Sequence, residues 1–141
     1  MSVLMKVIPR GNVLYVAVGG DFTLDSAKRN FLEILEAVNE HKSEKVLLDG
    51  RKIVGEPTII QRFYYGQFVA DAITAPDKKR GPVKLPEFAY VLLPPALDRG
   101  RLGETVAVNR GIKLKAFDNM PDALAWLGLT DLDMDDPVEN D

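Results

Sequence analysis

The residues with the most chemical potential lie in one stretch, Asp49-Gly50-Arg51-Lys52-Ile53-Val54-Gly55-Glu56-Pro57-Thr58, with Arg62 four residues further on. Arg51 and Lys52 supply two formal positive charges and Thr58 a hydroxyl. Pro57 suits the first turn of a helix. The N-terminus of such a helix would add unpaired N–H groups and the positive end of the dipole, which together favour an anion. This is chemistry for holding a phosphate, a carboxylate or the acidic side chain of a partner. Each residue also has a plainer use. Arg51 can pair with Asp49 or Glu56, and Thr58 can cap the helix. Arg62, one turn after Thr58, can reach back to the loop or stand in solvent.

Standard catalytic constellations find no support. His41 is the only histidine, set in the polar stretch Glu40-His41-Lys42-Ser43, and there is no cysteine. No Ser-His or Cys-His pair, disulfide or thiolate-ligated metal follows. The GxxxxGK[ST] and GxGxxG phosphate loops are absent, and Gly100 and Gly103 have the wrong spacing. Asp98 and Glu104 could form a carboxylate pair, although Asp98 before a helix reads more simply as its cap. Asp131-x-Asp133-x-Asp135 lacks the glycine and glutamate of a calcium loop. The expectation is no catalytic residue, no metal and no cofactor. Lys78, Lys79, Arg80 and Lys84 form a basic loop, but Phe88 and Tyr90 nearby fall in a strand, so stacking platforms interleaved with charge are missing. Nucleic acid is not an expected partner; the loop is solvated or serves as a lid over the first site.

The elements that must position these residues follow from periodicity. Val3–Ile8 and Val13–Val18 read as strands joined by the turn residues Pro9-Arg10-Gly11-Asn12. Thr23 caps a helix to about Asn39 with Ala27, Phe31, Ile34, Leu35 and Val38 on one face. Lys45–Asp49 and Glu87–Leu93 are apolar without alternation, as strands covered on both faces are, so Val46, Leu47, Leu48, Ala89, Val91 and Leu92 should be buried. Helices are expected from Pro57 to about Ile73, from Arg101 to Asn109 and from Pro121 to Leu127, with a last strand at Ile112–Phe117. The order ββαβαβαβα is α/β: a mixed, mostly parallel sheet with a hairpin at one margin, flanked by helices.

The second helix carries Phe63, Tyr64, Tyr65 and Phe68, four of eleven aromatic residues. Successive helical positions point about 100° apart, so these rings cannot share one narrow stripe. Phe63 and one other are assigned to the core. From Tyr64, Tyr65 and Phe68 a surface that meets a second copy, or a pocket wall, is expected, and with it a homodimer. Gly66 would allow a close backbone approach within this helix.

At 141 residues with 46% hydrophobic content, the chain suits one folded domain. Residues 1–129 carry a net +3, and the last twelve hold six acidic side chains and no basic one, which reads as a disordered, solvated tail at 130–141. No leader-like start and no run of about 18 apolar residues is seen, so a cytoplasmic protein without integral membrane association is expected.

Three stretches resemble the SpoIIAA-like family of the STAS/SEC14 superfamily. They are Val46-Leu47-Leu48-Asp49 with Arg51; Phe88–Leu93 leading to Glu104 and Asn109-Arg110-Gly111; and Lys115-Ala116-Phe117-Asp118 with Ala123-Leu124-Ala125-Trp126-Leu127. The resemblance, over residues 3–128, implies a small sheet flanked by helices acting as a regulatory, anion-binding or lipid-binding module. Relatives that antagonise anti-sigma factors are switched by phosphorylation of a serine in an Asp-Ser-Ser-Gly pattern. This chain has no such pattern, and Thr58 is the only hydroxyl nearby, so the phosphoswitch does not carry over. The reading is a non-catalytic module for a small anionic, amphipathic or lipid-like ligand or a protein partner, with Arg51, Lys52, Thr58 and Arg62 as its binding residues. An enzyme using carboxylates and arginines at the strand ends, and a purely structural interaction domain, are the competing readings.

Overall fold

In the computed structural model, which describes residues 4–74, 86–97, 102–109 and 111–129, β1 (Leu4–Arg10) and β2 (Val13–Asp21) form the antiparallel hairpin. They are followed by α1 (Leu24–His41), β3 (Lys45–Val54), α2 (Ile59–Thr74), β4 (Glu87–Val91), α3 (Leu102–Asn109), β5 (Leu114–Phe117) and α4 (Met120–Leu127). The basic loop at 78–84, Asp98 and the tail at 130–141 lie outside the described residues. The sheet order is β1-β2-β3-β4-β5, with every pair after the hairpin parallel. This is the mixed, mostly parallel α/β sheet expected from the alternation of strands and helices.

Two apolar layers hold the sheet. On one face Leu14, Val16, Val46, Leu48, Phe88 and Tyr90 pack against Phe31, Ile34 and Val38 of α1 and Val69, Ala70 and Ile73 of α2. α3 packs on α2 and β5. On the other face Leu47, Ala89, Val91 and Phe117 meet Ala123, Leu124 and Leu127 of α4. Alternate residues of β3 and β4 thus serve opposite layers, which is why both strands are apolar throughout. Of the residues expected to be buried, only Leu92 is half-exposed, since β4 stops at Val91.

The helices start where the local chemistry dictates. Thr23 Oγ1 accepts from Ser26 N (3.1 Å) to cap α1, and Asn119 Oδ1 accepts from Asp122 N (2.9 Å) to cap α4. At α2, Thr58 Oγ1 accepts from Gln61 N (3.1 Å) while Gln61 Oε1 accepts from Thr58 N (2.9 Å). That reciprocal box places the helix start at Ile59, after Pro57.

One expectation about the strands needs correction. β3 continues through Gly50-Arg51-Lys52-Ile53-Val54, a stretch whose composition predicts a loop. It stays paired with β2 across a register shift between Ala17 and Gly19, so that Lys52 lies opposite Gly19 and Val54 opposite Asp21. The extra residue in β3 makes this a bulge, a device that keeps a ladder going past an irregularity. The strand order also runs without reversal, so it contains none of the switch-point crevices that open α/β sheets offer to ligands.

Candidate functional site

The four residues expected to form one binding site are divided by the fold. Asp49, Arg51 and Lys52 line an open depression with Lys6, Tyr15, Ala17 and Gly19, on the part of the sheet that α4 leaves uncovered. Arg62 lies on the helix-covered face, in the wall of a cavity. Thr58 lines neither and lies at the start of α2, its hydroxyl engaged in the cap.

Arg51 is held by a bidentate ion pair with Asp49: Nε donates to Oδ1 at 2.9 Å and Nη2 to Oδ2 at 2.8 Å, with the Arg51 backbone N–H also donating to Oδ1 at 3.2 Å. Burial would raise the Asp49 pKa. The hydrogen bonds from Arg51, with the charges of Arg51 and Lys52, outweigh it and hold the carboxyl below its ordinary value. The same bonds raise Arg51 above its ordinary value. The guanidinium keeps an exposed face, and Lys52 is exposed beside it.

Arg62 does reach back, and further than the sequence suggested. Nε donates to Pro57 O (3.1 Å), Nη1 to Ala96 O (2.7 Å) and Nη2 to Pro95 O (2.9 Å). It therefore fastens the start of α2 to the segment after β4. Glu104 is likewise engaged, accepting from Ala116 N at 2.7 Å.

The aromatic residues of α2 separate differently from expectation. Val69, Ala70 and Ile73 fix the inward stripe, and counting back by three and four places Tyr65, Gly66 and Arg62 on it. Tyr65 therefore turns into the fold: its ring meets Phe31 edge-on at 6.3 Å and its hydroxyl bonds that of Tyr90 at 2.8 Å. Burial pushes the Tyr65 pKa up to about 12 and that of Tyr90 well above its ordinary value, so both are neutral phenols. Phe63, expected in the core, is exposed, being about 200° round the helix from Tyr65. Phe68 is half-buried with the Lys28 ammonium 5.5 Å over its ring.

What remains outside is an apolar patch. Ile59 (74% exposed), Ile60 (63%), Phe63 (39%) and Tyr64 (50%) form two i,i+4 pairs on the first turns of α2, and Val54 (60%) is exposed at the end of β3. Four large apolar side chains grouped in this way on α2 exceed the scattered exposure of an ordinary surface. The signal was present in the sequence as the spacing 59/63 and 60/64.

Beneath α2 lies the cavity, about 140 Å³, between α1, α2 and the sheet. Val18, Phe31, Ile34, Leu48, Val69 and Leu92 supply apolar wall, and Tyr65 and Tyr90 also border it. Among the described residues no three His, Cys, Asp or Glu side chains group to hold a metal, and no helix is long and apolar enough to cross a membrane.

The hairpin-led sheet, with three helices on one face and a fourth on the other, is the SpoIIAA-like (STAS) fold that the sequence resemblance implied. Among solved structures, the chain is similar to an anti-sigma factor antagonist from Mycobacterium paratuberculosis, with a TM-score of 0.54 and 17% identity over 90% of this chain and 95% of that one. No protein-family model and no curated protein matches the sequence.

Proposed function

We propose that this chain is a non-catalytic regulatory module that works by binding a partner protein, as an anti-sigma factor antagonist does, through the apolar patch of α2 and the end of β3. The observation that carries this reading is the patch itself: Ile59, Ile60, Phe63 and Tyr64 are exposed together on the first turns of a helix whose opposite face packs on the core. A helix face of this kind is a docking element. Arg51 and Lys52, three and two residues before Val54, bring basic charge to the end of β3. The anion chemistry expected of this stretch then serves the acidic side chains of the partner, favouring encounter and orientation more than affinity. The Arg51–Asp49 pair keeps that guanidinium in one place.

The test is site-specific photo-crosslinking in cells, with a photoreactive residue at Tyr64 and a control at Glu36 on the exposed face of α1. The expected result is one defined product from position 64, absent at 36, and abolished by Ile60→Asp, which puts a charge into the patch without touching the core. Equal products at both positions, or a product that survives Ile60→Asp, would refute the reading. A product of twice the chain mass would assign the patch to a homodimer, the self-association expected from the aromatic residues.

A further inference from the structure

We propose that the cavity beneath α2 is a binding site for a small, uncharged, largely apolar molecule carrying one hydrogen-bond acceptor, which the Tyr65–Tyr90 hydroxyl pair recognises. Two neutral phenols own two hydroxyl protons. Their mutual bond at 2.8 Å uses one, and neither hydroxyl has another hydrogen-bond partner among the described residues. Tyr90 is a buried strand residue, only 7% exposed, and both tyrosines border the cavity. The pair therefore leaves one O–H donor in an apolar setting. An unused donor of this kind is costly, and an acceptor on a ligand would satisfy it.

Size and charge narrow the class. The cavity measures about 140 Å³, close to the roughly 150 Å³ of apolar cavities that take up benzene. A molecule of about six to eight non-hydrogen atoms fits that space. A charged molecule is disfavoured because the walls are overwhelmingly apolar. The two charged side chains at the rim, Arg62 and Glu104, already hold backbone groups. A ketone, ester or ether on a small hydrocarbon frame meets these conditions. This site is separate from the α2 patch, so it stands whether or not a protein binds there.

Cyclohexanone and methylenecyclohexane have the same shape and differ in the acceptor, which makes them the probes. Titration of each into the methyl-labelled protein should give saturable shifts at Val69 and Ile34. In Tyr65→Phe/Tyr90→Phe the ketone should lose about tenfold in affinity, a typical effect for one buried hydrogen bond, while the alkene changes less than about twofold. Val69→Phe, which fills the cavity, should abolish both. The wild type supplies an independent readout should the double variant fail to fold: with Cζ-labelled tyrosine, the Tyr65 and Tyr90 signals should move with the ketone and stay with the alkene. Absence of saturable shifts at Val69 and Ile34 overturns the site. Equal losses for the two probes, or tyrosine signals that do not distinguish them, overturn its acceptor specificity.

Discussion

Arg62 offers a severe test of how the start of α2 is joined to the segment after β4. Its guanidinium bonds Pro57 O, Ala96 O and Pro95 O at 3.1, 2.7 and 2.9 Å, the first two partly buried and the third exposed. Replacement by Met keeps most of the apolar stem beside the cavity and deletes the donors, which separates hydrogen bonding from packing. The two partly buried charge-assisted bonds are worth about 1–1.5 kcal/mol each and the exposed one little, so the loss should be about 2–3 kcal/mol. For a chain of this size that is a fall of roughly 8–12 °C in Tm, or about 1–1.5 M in the urea midpoint at a slope near 2 kcal/mol/M. Arg62→Lys should recover less than about half, because one ammonium cannot fan out to three carbonyls as a planar fork does. Amide exchange at Leu97, whose N–H donates to Leu93 O at 3.0 Å, should quicken in the Met variant before global unfolding. A Met variant within about 0.5 kcal/mol of wild type would show that the three bonds merely replace bonds to water, and the fastening argument would fail.

Two further perturbations follow from the geometry. A Cβ on Gly50 would lie 2.6 Å from Leu92 Cδ2, 2.8 Å from Ile53 Cδ1 and 3.3 Å from Leu48 Cδ2. All three are side-chain tips that border the cavity and have room to move, so Gly50→Ala should cost under about 1.5 kcal/mol, at the low end for overpacking, and weaken cyclohexanone uptake. A loss above about 3 kcal/mol in urea unfolding would show that the tips cannot yield. The depressed Asp49 pKa makes its ion pair stabilising above the unfolded carboxyl value of about 3.9, a contribution lost as pH falls through the lower folded value. The stability difference between Asp49→Asn and wild type should therefore be fully present above about pH 5 and shrink progressively as pH falls below about 3.9; a constant difference across that range would dismiss the pair.

Much of the fold was legible because its signals are local. Strand–helix alternation, the Pro9–Asn12 turn, the Thr23 cap and the unbroken apolar runs at Val46–Leu48 and Phe88–Val91 each act within a few residues. The extension of β3 was not, because Gly50-Arg51-Lys52 has the composition of a turn. Only its partner across the bulge, Gly19-Gly20-Asp21, keeps it extended. Phe63 was not legible because the inward stripe of α2 is set by Val69, Ala70 and Ile73, one to three turns beyond the ring cluster, and not by the rings themselves. The Arg62 contacts span 33 and 34 positions and the Tyr65–Tyr90 bond spans 25, separations that no periodicity encodes. The cavity is a shortfall of side-chain volume between helices and sheet, so no single residue announces it.

The Glu104–Ala116 bond bears on how copies of this chain can meet. β5 is the last strand of its sheet and only four residues long, and a carboxylate already occupies one of its backbone donors. At the opposite margin, β1 carries Pro9, which has no N–H to offer, and the exposed Lys6. Both rims are therefore poor templates for another chain's backbone, and a sheet finished in this way resists lengthening into fibrils by strand addition. Association is steered away from the main chain and towards side chains, where recognition depends on shape and can be revoked.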